Sequence, residues 1–127
     1  MNKTIKFSLF ALGAFASTVS SANQITSDFL KKEIELAHSQ YLQGSPESGL
    51  YALQALSRVL ELNNGSAELG PNNLSFTYLR IGLLHEKAGN QDKAEENYIK
   101  AVRHYSDKNA DITALKDVVI GLDQKRS

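Results

Sequence analysis

The fold of this chain is decided between residues 74 and 106, which read LSFTYLRIGLLHEKAGNQDKAEENYIKAVRHYS. In the first half, the residues suited to packing follow the spacing i, i+3, i+4, i+7, which places them on one face of a helix. In the second half they follow i, i+4, i+7, i+11, which indicates a second helix with a single packed face. Neither helix alone can bury its apolar stripe, so we expect the two faces to pack together.

Large and small side chains are distributed over these two faces in a way that favours close helix packing. Small residues stand where two backbones would approach most closely, and bulky residues flank them to fill the remaining space. The small positions are Gly82, Ala94 and Ala101, and the bulky ones are Tyr78, Ile81 and Tyr98. Gly89 and Asn90 lie between the helices and tolerate the backbone angles of a tight turn. The stretch therefore predicts an antiparallel helical hairpin.

This pattern resembles a tetratricopeptide repeat, whose usual signature is Trp-x2-Leu-Gly-x2-Tyr, then Ala-x3-Phe, then Pro. The matching positions, in chain order, are Tyr78, Ile81, Gly82, His85, Ala94 and Tyr98. Ser106 stands at the position of the final Pro, so the resemblance does not predict another regular repeat directly after it. It implies helical hairpins stacked as a short α-solenoid, in a protein that works by holding other proteins.

The resemblance also implies a partner-binding groove lined by the first helix of the repeat. Carried over by position, its residues are Phe76, Leu79, Arg80, Leu83, Glu86 and Lys87. Two interpretations of its apolar residues stay open. In one, the N-terminal helix or the segment from Ile112 to Leu122 covers them within a small bundle. In the other, they form an open groove for a partner's helix or extended peptide, with Arg80 and Lys87 at the rim.

Helical periodicity continues on both sides of the hairpin, so the predicted fold class is all-α. Ser27 and Ser45 are expected N-caps, and Pro46 suits the first position of a helix. The segment from residue 28 to 62 is predicted to be a degenerate second repeat. Asp111 is expected to cap a last helix that packs its apolar stripe on the repeats and turns a polar face with Lys116, Asp117 and Asp123 to water. The expected helices are at about 28–43, 46–62, 74–88, 91–105 and 111–122, with a loop at 63–73 rich in Asn, Gly and Pro.

The N-terminus resembles a secretory signal peptide. Lys3 and Lys6 precede an apolar run from residue 7 to 19, and small residues follow at 20–22, so cleavage is expected before Asn23. An uncleaved anchor is the alternative, but a membrane-spanning helix needs about 20 apolar residues, more than this run provides. We therefore expect one mature domain at 23–127 without stable membrane insertion. Its expected location is the bacterial periplasm, with secretion as the alternative.

Charge and composition restrict the possible partners. Removal of residues 1–22 takes two of the 14 basic residues and none of the 14 acidic ones, which leaves a net charge near −2. Such a balance argues against binding of nucleic acid through bulk attraction. The chain contains no cysteine, so the mature domain has to be stabilised by packing rather than by disulfides.

No grouping of residues in the sequence predicts catalysis, a metal site or a cofactor. His85 and Glu86 match half of a zinc-protease motif, but no second histidine follows at the required spacing. His85 is better explained as a packed, hydrogen-bonded residue of the core. No glycine-rich loop around a serine or for a phosphate is present. We expect no catalytic residues, no metal and no cofactor.

The sequence therefore favours an exported, non-catalytic interaction module, acting as an adaptor or as an accessory or assembly subunit of a bacterial cell-envelope complex. Its expected partner is another protein, bound as a helix or peptide in the groove. Self-association is also expected to be possible, because a solenoid of this kind usually needs about three repeats. The alternative is a small-ligand carrier or a non-catalytic helper of an envelope enzyme, with a pocket lined by Tyr41, Tyr78, His85 and Tyr98.

Overall fold

The structure is a computed structural model that describes residues 25–126, apart from the side chains of residues 66 and 67. The predicted signal peptide at 1–22 lies outside the described residues. Every regular element within them is helical, which confirms the all-α class. The α-helices are α1 (Ser27–Gln43), α2 (Pro46–Leu62), α3 (Asn73–Lys87), α4 (Gln91–His104) and α5 (Ile112–Arg126). The predicted loop between α2 and α3 contains a 3-10 helix, Asn64–Leu69.

Local signals set most of the helix ends. The Ser45 hydroxyl accepts a hydrogen bond from the Ser48 N–H at 3.1 Å, and Pro46 occupies the first turn of α2, as expected. The predicted cap of α1 is wrong by one residue. Thr26, not Ser27, accepts the capping bond, from the Phe29 N–H at 3.1 Å. Two hydroxyl residues are adjacent there, and only the backbone angles distinguish them.

The α3–α4 hairpin has the close contact that the sequence predicts. Gly89 ends α3 with φ +83°, and the N–H of Asn90 donates to the His85 carbonyl at 2.9 Å, which closes a Schellman turn. A Cβ atom added at Gly82 would lie 2.5 Å from Cε1 of Tyr98 and 3.2 Å from the Ala94 carbonyl oxygen. Only glycine fits at this crossing without a shift of the tyrosine ring.

The core is centred on α3, which packs against α2, α4 and α5. Side chains of α2, α3, α4 and α5 form one continuous buried cluster. The helix α1 joins this cluster mainly through its packing on α2. Its fully buried members with the largest side chains include Leu53, Leu60, Leu79, Leu115 and Val119. The central position of α3 explains why this helix is apolar on two sides: its neighbours leave it almost no solvent-facing surface.

The last helix differs from its prediction in length and orientation. It runs to Arg126, four residues beyond the expected end at 122. Leu115 and Val119 are buried as expected, whereas Val118 is 39% exposed. Asp123, predicted to face water, pairs instead with the buried Arg80. The last turn of α5 is therefore anchored to α3 by this ion pair.

Candidate functional site

The structure buries two of the six predicted groove residues, Leu79 and Arg80. Leu79 is completely buried in a cluster that includes Leu115 and Val119, and Arg80 is 2% exposed. Of the two interpretations that the sequence left open, the covered one therefore applies to Leu79, and Arg80 is buried rather than at the rim of an open groove. The physical reason is that the α3–α4 hairpin alone leaves apolar surface on α3, which the neighbouring helices bury.

The other predicted groove residues have mixed positions. Phe76 is partly buried, with its ring centroid 6.1 Å from that of Tyr105. Leu83 is partly buried, while Glu86 and Lys87 are exposed. The fully exposed members of the set, Glu86 and Lys87, thus lie in the last turn of α3.

A first polar cluster holds the start of α5 against the hairpin. The Tyr98 hydroxyl donates a short hydrogen bond to Glu86 Oε1, and Lys116 Nζ lies 3.3 Å from the same oxygen. The Lys116 ammonium also lies 4.4 Å from the centroid of the Tyr98 ring, within range of a cation–π contact. Hydrogen bonding from Tyr98 and then from Lys116 lowers the pKa of Glu86. The cluster joins α3, α4 and α5 through one carboxylate.

A second polar cluster holds the end of α5 and reaches α1. Arg80 donates from Nη2 to Asp123 Oδ1 at 2.7 Å and from Nε to both carboxylate oxygens at 3.2 Å. Its Nη1 lies 2.9 Å from His38 Nε2, and its guanidinium carbon lies 5.9 Å from the centroid of the Tyr41 ring. A buried arginine requires such partners, because an unpaired charge out of water is costly.

His38 lies between two guanidinium groups. Arg126 Nη1 is 2.7 Å from its Nδ1, and Arg80 Nη1 is at its Nε2. Burial, and then the positive charges of Arg80 and Arg126, lower the pKa of His38 from 6.5 to about 4, so the ring is neutral at pH 7. A neutral imidazole has one lone pair, so it accepts from only one of them. We assign that bond to Arg80, which the Asp123 carboxylate holds in place.

These elements leave an open cleft between α1 and α5, with α3 at its base. It has a volume of about 420 Å³. We call it the α1–α3–α5 cleft. Aliphatic side chains and one tyrosine ring form most of its wall, and an ammonium, a carboxylate and an amide provide its polar edge. Its lining residues are Tyr41, Leu42, Leu83, Leu84, Lys87, Ile120, Asp123 and Gln124.

Only Leu83 and Lys87 of this lining were among the predicted groove residues. The remaining lining residues come from α1, from α5 or, as with Leu84, from the core side of α3. One signal was available in the sequence: Arg80 lies within an apolar stretch, and a buried arginine implies a carboxylate partner. Nothing in the sequence identifies Asp123 as that partner, since 43 residues separate the two.

The structure does not bring the four aromatic residues of the predicted pocket around one of the principal cavities of residues 25–126. Tyr78 and His85 are buried in the core, at 4% and 5% exposure. Tyr41 lines the α1–α3–α5 cleft, whereas Tyr98 lines a different groove of about 570 Å³ between α4 and α5. None of these five principal cavities is lined by all four side chains. The four aromatic residues serve separate contacts, because they lie on three helices that face different neighbours.

His85 is packed into the core, as expected, but its Nδ1 has no hydrogen-bond partner among the described residues. Burial lowers its pKa. Residues 25–126 contain no group of three or more His, Asp or Glu side chains placed to hold a metal ion. Within the same range, no helix is both long and apolar enough to span a bilayer.

Comparisons of the chain with protein-family models, with curated proteins and with solved structures give no match. The fold and the cleft are therefore interpreted from their own geometry.

Proposed function

We propose that this chain is an exported, non-catalytic protein-interaction module built from tetratricopeptide-like hairpins. It acts as an adaptor or as an accessory or assembly subunit of a bacterial cell-envelope complex. The observation that carries the proposal is the α1–α3–α5 cleft, a mainly apolar cleft between helices with polar groups at its edge. Sites for partner helices and peptides commonly combine these features.

The repeat assignment is supported by packing at the signature positions. Ala94 and Ala101 are buried, and Gly82 admits the Tyr98 ring at the helix crossing. The order of the helices also favours it, since two hairpins are followed by a single helix packed on α3 and α4. Export to the periplasm, or secretion, rests on the N-terminal sequence alone.

Partner binding is tested with two matched variants of α5. Ile120 lines the cleft and is 41% exposed, while Val118, two residues earlier, is 39% exposed and is not among the cleft residues. We expect Ile120→Glu to abolish cross-linking to an envelope partner in cells and Val118→Glu to retain it. Circular dichroism checks that both variants keep the wild-type helix content.

Two results would count against the proposal. Equal cross-linking by wild type and both variants would exclude the cleft as the partner site. A chain that stays in the cytoplasm, or whose N-terminus remains uncleaved after expression in a bacterial host, would remove the exported role. Fractionation and N-terminal sequencing give the second answer.

Self-association stays a prediction. Apolar side chains on α1 and α2 are exposed, with Leu36 at 60%, Tyr51 at 74% and Leu62 at 86%. Such residues at the first hairpin are available for stacking against a second copy. Sedimentation at several concentrations checks this: a monomer throughout the range would contradict it.

A further inference from the structure

The uncompensated charge at the α1–α3–α5 cleft is positive. Its acidic side chain, Asp123, is already neutralised, because the Arg80 guanidinium donates to both carboxylate oxygens at 2.7 to 3.2 Å. Lys87 also lines the cleft, is exposed and has no ion-pair partner among residues 25–126. Those residues contain all 14 acidic side chains and all but two of the 14 basic ones, so the positive edge is a local feature of the cleft.

Arg126 adds a second positive group at one end of the cleft. It lies one turn after Asp123 on α5. His38, its contact at 2.7 Å, lies one turn before the cleft residues Tyr41 and Leu42 on α1. The contact of Arg126 with His38 therefore lies at the end of the cleft where α1 and α5 meet.

This contact presents hydrogen-bond donors suited to an anionic group. The neutral His38 ring accepts from Arg80 at Nε2, so its Nδ1 carries the hydrogen and faces Nη1 of Arg126, which is also a donor. The hydrogen bonds and ion pairs of the part of the chain that the structure describes give neither donor an acceptor. A carboxylate accepts from both kinds of group, and the planar guanidinium is well matched to it.

The spacing of the positive groups matches a helix. At one end of the cleft, Arg126 and Arg80 contact the same imidazole, that of His38. At the other end is Lys87, seven residues after Arg80 on α3, or about 10 Å further along the helix axis. A helix laid along the cleft covers this distance from i to i+7, with i+3 and i+4 on the same face between them. An extended peptide covers it in about three residues, which turns the two end side chains to opposite faces.

We infer that the α1–α3–α5 cleft binds an amphipathic helix of a partner protein that carries an acidic residue at each end of its apolar face. This inference rests on the proposed function and adds the chemistry of the partner. Of two Asp or Glu residues at i and i+7, one pairs with Lys87 and the other with Arg126 and the His38 N–H. Large apolar side chains at i+3 and i+4 enter the cleft between them and contact its apolar wall, which includes Ile120.

The test uses labelled synthetic helices and the full wild-type chain, with binding measured by fluorescence anisotropy. One peptide carries Glu at i and i+7 and Leu at i+3 and i+4 in a helix-forming background of Ala and Gln. A second has the same composition with both Glu residues on the opposite face, and a third carries Lys at i and i+7. We expect the first to bind at least about tenfold tighter than either control, with a difference that shrinks as salt is raised. Equal binding of the three peptides would overturn the inference.

Charge-reversal variants identify the cations. We expect Lys87→Glu and Arg126→Glu each to weaken binding of the acidic peptide by about five- to tenfold, and to recover part of it when Lys replaces the facing Glu of the peptide. The control is Lys93→Glu on α4, an exposed lysine outside the cleft lining, which changes the net charge equally and should bind as wild type does. An equal loss in all three variants would show only bulk attraction and would overturn the inference. The peptide comparison on the wild-type chain does not depend on the folding of any variant.

The outcomes separate this inference from the proposed function. If all three peptides bind alike and Ile120→Glu abolishes their binding, the cleft is a partner site without an acidic preference, and only the inference fails. Binding of the acidic peptide without any cross-linked partner in cells would count against the proposed function alone. Anionic lipid is the alternative occupant. If the chain binds vesicles containing phosphatidylglycerol but no peptide, and Lys87→Glu and Arg126→Glu release it from them, the inference fails in favour of a membrane surface.

Discussion

Removal of the Asp123 carboxylate is the sharpest test of how α5 is held. The Arg80 side chain is 3% exposed and that of Asp123 is 13% exposed, and the two make three contacts of 2.7 to 3.2 Å. In Asp123→Ala the guanidinium loses its only ion-pair partner among the described residues and keeps its neutral neighbour His38. The variant thus leaves a buried positive charge uncompensated.

The magnitude follows from the burial of the pair. Breaking a buried ion pair from one side typically costs about 3–5 kcal/mol. The partial exposure of Asp123 favours the lower end, so we expect a loss of about 3 kcal/mol in the free energy of unfolding. For a domain of this size, the loss corresponds to a fall of about 10–20 °C in Tm. If α5 undocks in the variant, water reaches Arg80 and its charge is no longer buried. The loss in the free energy of unfolding therefore cannot exceed the free energy with which α5 is docked.

The assay is urea and thermal denaturation followed by circular dichroism, with hydrogen exchange to locate the change. Asp117→Ala on the exposed side of the same helix is the control, and we expect it to lie within about 0.5 kcal/mol of wild type. In the double variant Arg80→Met with Asp123→Leu, stability should return to within about 1 kcal/mol of wild type, because apolar residues of similar volume replace the pair.

A clear result refutes this reasoning. The result would be a free energy of unfolding for Asp123→Ala within about 0.5 kcal/mol of wild type, together with unchanged protection of α5 from hydrogen exchange. In that case Arg80 is not buried against α5, and the second polar cluster does not hold the helix. A double variant as unstable as the single one would show that the apolar packing, and not the uncompensated charge, was disturbed.

Three further predictions concern the hairpins and pH. Gly82→Ala should lower the free energy of unfolding by about 2 kcal/mol, because the added Cβ meets the Tyr98 ring. A Cβ added at Gly121 has no atom within 4 Å, so Gly121→Ala should raise it by up to about 1 kcal/mol. Chemical denaturation compares the two variants. Ser45→Ala removes the cap of α2 and should cost about 1 kcal/mol in the same assay, and no loss would contradict the capping bond. The pKa of His38 is about 4 in the folded chain and about 6.5 in the unfolded chain, so the unfolded chain binds more protons between pH 4 and pH 6.5. The free energy of unfolding therefore falls as the pH falls through that window. The full shift corresponds to about 3 kcal/mol, reduced to about 1–2 kcal/mol by the partial exposure of the ring, and His38→Asn should remove that part of the pH dependence in denaturation curves.

Much of the helical framework could be predicted because its signals are local. The Ser45–Pro46 start of α2, the glycine at the end of α3 and the small residue facing Tyr98 all act within one or two turns or across one short hairpin. Each constrains the backbone through sterics or a capping bond, so residue type alone indicates it. The predicted all-α class followed from these signals.

The candidate site was predicted only in part, because it is assembled from three helices. The resemblance to the repeat placed Leu83 and Lys87 on the side of α3 that lines the cleft, but it could not decide whether Leu79 was covered. Helical periodicity placed Asp123 toward water, since a carboxylate on an isolated helix is expected to be solvated. The partner that reverses this expectation, Arg80, lies 43 residues earlier.

The sequence by itself determined that residues 74–106 form a tight helical hairpin, because large, small and turn-forming residues at fixed spacing allow few other arrangements. The tertiary structure alone decided which side of that hairpin remains open. Packing of the neighbouring helices on α3 buries Leu79 and Arg80 and leaves the α1–α3–α5 cleft beside them. Such packing depends on the sum of apolar burial and paired charge between segments distant in sequence, and no local pattern records that sum.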